Sequence, residues 1–337
     1  MTRVTTLGLV LSTFVLQAAV PARSGDEDAE YGVYVGLVRG LDASVAEVTE
    51  TVEGALTAAG WEVLAVHPVG RPDQCAYEGR VLVVHSSGYA AAVRPYGPHV
   101  AFAVPQRVLV FEDEAGVHVA AVDLRGLNRT IVDEQVPGSA WQPWFDRLAN
   151  AVTGAFENEH TAWPFGQMRD EGRISRTFGI MAGGPFVEKI EVAAELPVVD
   201  ASVADVADRV EQAFSEPGDG EWALESVYRL DLPESDAVVL GVSGSPMEAK
   251  AFSIVRHGGD DSREGWACPG LDHAAAFPVE LVVLRVEDRV EVHLIDEMFR
   301  MKMYFEDAGK VAFAKNMGMP GSIEDAIRTR VNGALGF

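Results

Sequence analysis

The sequence predicts an α+β protein of two tandem β-α-β4-α units, with antiparallel sheets, helices on one face and a pseudo-twofold duplication. Three observations predict it. Residues 42–48 read DASVAEV and residues 200–206 read DASVADV. Further matches follow in the same order: Val52-Glu53-Gly54-Ala55-Leu56 against Val210-Glu211-Gln212-Ala213-Phe214, Trp61 against Trp222, and Pro105-Gln106-Arg107-Val108-Leu109-Val110 against Pro278-Val279-Glu280-Leu281-Val282-Val283. Within each copy one helical stripe is followed by consecutive strand-like runs, which points to antiparallel pairing rather than to alternating βαβ units.

The elements follow in chain order. Residues 1–22 (MTRVTTLGLVLSTFVLQAAVPA) have a basic start at Arg3, an apolar stretch and small or apolar residues at Val20-Pro21-Ala22, the pattern of a secretory signal peptide cut after Ala22. The stretch is shorter than the ~20 apolar residues that span a bilayer. No later stretch is longer, so no membrane span is expected after cleavage. The first unit, 31–157, opens with a strand at 32–38. Asp42 or Ser44 caps the helix that follows: Ser44-Val45-Ala46-Glu47 has the spacing of a capping box, and Val45, Val48, Val52, Ala55 and Leu56 form a helical stripe behind it. Strands are expected at 62–69, 80–85, 107–113 and 117–124, with a hairpin turn at Glu114-Ala115-Gly116, and a closing helix at 148–157. Residues 158–186, rich in Gly and aromatics, are expected to pack across the join. The second unit, 187–337, repeats the pattern. It has a strand at 188–196, a helix capped by Asp200 or Ser202 with Asp205 three residues after the serine, strands at 223–230, 237–242, 279–286 and 289–296 with a hairpin turn at Glu287-Asp288, and a helix at 327–337.

Composition narrows the function classes. There are 51 Asp and Glu against 27 Lys and Arg, a formal charge of -24. That excess repels phosphate, so nucleic acid is excluded as a partner. A hydrophobic content of 48% supplies a full core, so the chain is not globally disordered. Two cysteines, Cys75 and Cys268, are too few for a four-Cys zinc site, and an exported chain permits a disulfide between them; two separate thiols is the other reading.

Catalytic signatures are sparse. HExxH, Walker and GxSxG motifs are absent; Gly241-Val242-Ser243-Gly244-Ser245 misses the last by one position and reads as a turn after a strand. His257, Asp260 and Asp261 lie on a Gly-rich stretch of the longest insertion, 245–272, where an imidazole and two carboxylates suit a metal or an acid–base pair, against the plainer reading of a solvated acidic loop. Glu157 to His160 forms a charged helix end. Five of the nine methionines, Met298, Met301, Met303, Met317 and Met319, follow His293 closely. Thioethers with an imidazole suit Cu(I), while Met298, Met301 and Phe305 at helical spacing read as core filler. His99 and His273 sit at near-equivalent places before Pro105 and Pro278, which suggests a structural role such as bonding a strand end, with a paired site at the pseudo-twofold as the other reading. Trp141, Trp144 and Trp163 are expected to line a groove or seal a domain contact.

The order of elements and the segment 101–127, AFAVPQRVLVFEDEAGVHVAAVDLRGL, resemble the family called domain of unknown function 302. Ala101 to Pro105, Phe111-Glu112-Asp113 and Gly116 follow its pattern. Ser87-Gly88-Tyr89 departs from it, and the second copy follows it more loosely through Ala274-Ala275-Ala276-Phe277-Pro278. The resemblance implies a fold similar to the TATA-binding-protein class and lends no activity. The expectation is therefore an exported periplasmic or secreted binding or interaction module rather than an enzyme. It needs no cofactor, and its partner is an unidentified small molecule or protein held between the copies or beneath the 245–272 insertion. Copper handling by the Met/His cluster is the alternative, with a hydrolase using His257 and Asp260 behind it.

Overall fold

A computed structural model describes residues 30–157, 160–170, 184–256, 268 and 270–337. The leader at 1–22 and His257, Asp260 and Asp261 lie outside the described residues. In the first unit the elements are β1 (Glu30–Tyr31), β2 (Tyr34–Leu41), α1 (Val45–Ala58), β3 (Glu62–Pro68), β4 (Gly79–His85), α2 (Ser87–Val93), β5 (Gln106–Asp113), β6 (Gly116–Val122), α3 (Leu124–Ile131) and α4 (Gln142–Thr153). The connector supplies β7 (Trp163–Phe165) and β8 (Arg169–Asp170). The second unit has β9 (Ile190–Pro197), α5 (Val203–Ala213), β10 (Glu225–Leu232), β11 (Ala237–Ser243), α6 (Ser245–Arg256), β12 (Val279–Val286), β13 (Arg289–Ile295), α7 (Glu297–Phe305), α8 (Lys310–Lys315) and α9 (Gly318–Leu335).

The fold is α+β in two units, and every pairing within the two sheets is antiparallel. Sheet one runs β3-β4-β5-β6-β2-β7 and sheet two runs β10-β11-β12-β13-β9, so the two cores share one strand order. The hairpins are where the turns predict them: Asp113 pairs Gly116 and Val286 pairs Arg289. Both helix starts form complete capping boxes. Ser44 accepts from Glu47 N while the Glu47 carboxylate accepts from Ser44 N, and Ser202 does the same with Asp205. These bonds hold the Glu47 and Asp205 carboxyls below their usual range.

The helices α2, α3, α6, α7 and α8 are additions to the expected order. Asp123 and Asp296, each at a strand end, accept from the backbone amides of Arg125 and Phe299 and start α3 and α7. In sheet one, α1 and α4 cover one face; in sheet two, α5 and α9 do. The opposite faces meet each other's unit through two 3-10 segments: Leu271–Ala276 packs on β4 and β5, and Pro98–Ala103 packs on β11 and β12. This exchange places Arg107 and Glu280, which open their strands at matching positions, in one buried ion pair of 2.8 Å. The connector also packs across the join, since Arg169 donates to the carbonyls of Lys302 (3.0 Å) and Met303 (2.7 Å).

Candidate functional site

Helix α6 begins directly after β11, so Ser243 sits at a strand–turn–helix junction rather than the open turn that the sequence suggests. Its hydroxyl is fully buried and donates to Glu248 of α6, which leaves no room for a nucleophile's substrate. Glu248 is itself fully buried and roots α6 in the first unit: one carboxylate oxygen lies 2.7 Å from His67 Nε2, and the other accepts from Gly70 N. Beyond α6, Cys268 is joined to Cys75 of the first unit by a disulfide, with Cα atoms 5.0 Å apart.

Anchored in this way, α6 stands over α7 and α8 and leaves a small apolar cavity. Ala251, Ile254 and Val255 supply one wall, at the i, i+3, i+4 positions of one helix face. Met301 and Phe305, one turn apart on α7, supply the facing wall. Ala308 and Asn316 close it. Asn316 is the single polar side chain in the lining, and its Nδ2 donates to Ala312 O at 2.9 Å. The cavity has apolar walls, one amide and a volume of about 10 Å³, and its lining offers no group that does acid–base or nucleophilic work.

Behind Phe305 lies a buried ionic centre at the contact between the units. His273 is fully buried; its Nδ1 is 2.9 Å from Asp272 Oδ1 and its Nε2 is 3.0 Å from Asp307 Oδ2. A neutral imidazole has one donor, so two carboxylates on two ring nitrogens specify the imidazolium. Burial opposes that charge, but Asp307 and Asp272 outweigh it and push the ring's pKa up to about 9. Aromatic rings enclose it: Phe305 stacks at 6.1 Å between centroids, Tyr34 meets it edge-on at 4.9 Å, and Phe165 lies at 6.3 Å. The Tyr34 hydroxyl donates to Tyr304 O at 3.0 Å, which ties sheet one to α7.

Among solved structures, the chain is similar to the uncharacterized conserved protein DUF302 from Bacillus stearothermophilus, at 16% identity and a TM-score of 0.31, over 36% of this chain and 95% of that one. No protein family matches the sequence, and no curated protein does.

The other sequence candidates disperse. His293 on β13 bonds Glu291 at 2.6 Å, Met303 is buried in the core, Met298 is half-buried, and Met301 faces the apolar cavity. Met317 is exposed and Met319 buried. Among the described residues no three or more His, Cys, Asp or Glu are placed to hold a metal ion, and no helix is long and apolar enough to cross a membrane. His99 bonds Val132 O at 3.2 Å and stands one position out of step with His273, with Asp272 at its equivalent place counted back from the strand. The two histidines therefore hold different bonds and are not a pair. Trp141, Trp144 and Trp163 pack inside the first unit, on Tyr96, Tyr89 and Arg39, and do not seal the contact between units. His160 packs on Phe156 at 6.1 Å. The cavity and the ionic centre have no local motif.

Proposed function

We propose that the chain is an exported, non-enzymatic binding module that takes a small apolar ligand between α6 and α7, where the cavity widens to admit it. The observation that carries this reading is the lining itself: six apolar side chains and one amide, beneath a helix pinned at Glu248. The leader-like start and the Cys75–Cys268 disulfide support export, because disulfides persist in oxidising compartments. The acidic balance supports a partner that is not nucleic acid.

The test is a benzene titration of protein carrying 13C-methyl methionine: benzene enters dry apolar cavities of about 150 Å³, so the α6–α7 cavity, about 10 Å³ as it stands, must widen to take it. The Met301 methyl should shift saturably, and Ile254→Trp, which fills the space with indole, should abolish the shift. No saturable shift at Met301 would remove the reading. The same sample separates it from Cu(I) binding by His293, Met298, Met301 and Met303: copper would move all three methyls together, whereas benzene moves Met301.

A further inference from the structure

The strand pairing of sheet two puts three residues in one row. Tyr228 of β10 faces Gly241 of β11, and Gly241 faces Glu280 of β12. Residues opposite one another on neighbouring strands share a face of the sheet, so Tyr228 and Glu280 stand on one side with only a glycine between them. The Tyr228 ring lies over that glycine: a Cβ on Gly241 would come to 2.0 Å from a ring carbon. The phenol therefore extends across β11 towards the Glu280 carboxylate. The matching row of sheet one is Ala65, Val83 and Arg107. Arg107 crosses the contact between the units to reach Glu280. A phenol, a carboxylate and a guanidinium thus meet at one place.

Four polar atoms there make no hydrogen bond among the described residues: Tyr228 Oη, Glu280 Oε1, Arg107 Nε and Arg300 Nε. All four side chains are buried, and Tyr228, at 4%, is the most exposed of them. The remaining donors of the two arginines are committed elsewhere. Arg107 Nη1 donates to the carbonyls of Ala276 and Pro278, and Nη2 donates to the Tyr304 hydroxyl. Arg300 Nη2 donates to the same two carbonyls. The 2.8 Å approach of Arg107 Nη1 to Glu280 Oε1 is therefore a charge contact that leaves the oxygen without a hydrogen bond. Arg300 Nε stands 3.9 Å from Glu280 Oε2, beyond hydrogen-bond length. Burial, and after it the Glu280 charge, holds the Tyr228 hydroxyl in its protonated, donating form. Buried polar groups in native proteins are paired, with protein or with ordered water.

We propose that a water molecule is bound at this place as a structural part of the contact between the units. It accepts from the Tyr228 hydroxyl and from one of the two guanidinium Nε–H groups, and it donates to Glu280 Oε1. Three bonds of this kind are what a buried water ordinarily makes. The orphan acceptor decides for water over a small anion. Two guanidinium groups beside one carboxylate offer an anion charge to pair with, but an anion has no proton to give Glu280 Oε1 and is repelled by it. The site does not depend on the cavity between α6 and α7.

A high-resolution crystal structure tests occupancy, and Tyr228→Phe tests the bond. We expect an ordered oxygen within about 3.2 Å of both Tyr228 Oη and Glu280 Oε1. Crystals soaked in bromide should show no anomalous signal there. Tyr228→Phe keeps the ring over Gly241 and removes only the hydroxyl. It should lower the Tm by about 1–3 °C, the shift expected for losing one ordinary hydrogen bond. An unpaired hydroxyl predicts the opposite sign, because its removal relieves the burial of a polar group. A direct Tyr228–Glu280 bond with no oxygen between them overturns the proposal. So does a bromide peak at the site, a site with no ordered density, or a Tm that stays the same or rises in Tyr228→Phe. The wild-type crystal decides by itself if the variant does not fold.

Discussion

Arg107 and Glu280 occupy the same place in their respective units, two residues after Pro105 and Pro278, and their side chains form a single ion pair of 2.8 Å across the contact between the units. Neither is exposed by more than 2%. A site facing its own equivalent would bring two like charges together; here one unit carries the cation and the other the anion. Arg107 also donates to the carbonyls of Ala276 (3.1 Å) and Pro278 (3.2 Å), where Arg300 joins it.

Arg300 is the second cation on Glu280, at 3.9 Å and equally buried, so the two single losses should differ. Glu280→Leu leaves two buried guanidinium groups and should destabilise by about 3–5 kcal/mol, whereas Arg107→Met leaves Glu280 with Arg300 and should cost less. The double variant should recover part of that loss. Urea unfolding of all four proteins measures the coupling; additive losses would show that the two charges do not depend on each other.

The capping boxes give a matched comparison. Ser44→Ala and Ser202→Ala should each cost about 0.5–2 kcal/mol. Because Glu47 and Asp205 both reach back to the cap amide, the two losses should agree within that range. Thermal unfolding of each single variant checks this.

Much of this architecture was legible in the sequence, and for physical reasons. A cap and its box are local, so DASVAEV and DASVADV announce two helices without any tertiary context. Strands in hairpins are adjacent along the chain, so their turns are legible too. What escaped depends on distance. The 3-10 segments at 98–103 and 271–276 have no period to detect, and α2, α3 and α7 are too short to show a stripe. The partner of Arg107 is 173 residues away, and nothing local says that an arginine in a strand faces a second unit rather than solvent. The His273 site needs residues from the segment before β12, the turn after α7, β2 and the connector at once. Met301 and Phe305 were visible as a helical pair, but the space they leave open was not.

Glu297 gives a pH prediction. Burial is the main cause that raises its pKa to about 7, with Arg300 opposing and Glu280 adding to the rise. The folded state thus holds this proton more tightly than the unfolded chain does. Stability from Glu297 is fully present below the ordinary carboxyl pKa and is lost as pH rises through about 7. Glu297→Gln should flatten the stability profile between about pH 4.5 and 7 and stabilise the protein at pH 8. A profile unchanged by the substitution would place the proton elsewhere.

Gly36 is required by Trp163. A Cβ at Gly36 would lie 2.0 Å from two indole carbons, while Arg39 covers the ring at 4.1 Å. Gly36→Ala should displace β7 from the edge of sheet one, cost about 1–3 kcal/mol and shift tryptophan emission to the red. Unchanged emission and stability would mean that the ring moves freely.

Exported protein should have the mass of a chain that begins after Ala22 and lies two mass units below its fully reduced form. Native mass spectrometry before and after reduction reads both. A full-length mass would remove the leader reading, and an unchanged mass on reduction would remove the disulfide.

The Cys75–Cys268 bond also turns most of the molecule into a covalent ring, since 193 positions separate its ends. Both sheets contribute strands to that ring, and the connector runs through it. In the chain-entropy view a ring of this size restrains the unfolded chain by about 5 kcal/mol. A single peptide cut anywhere between the two cysteines leaves one molecule, not two: the halves stay at high effective concentration and can find each other again. The units are thus joined twice, once by peptide and once by sulfur, and only a nick together with a reductant sets them free.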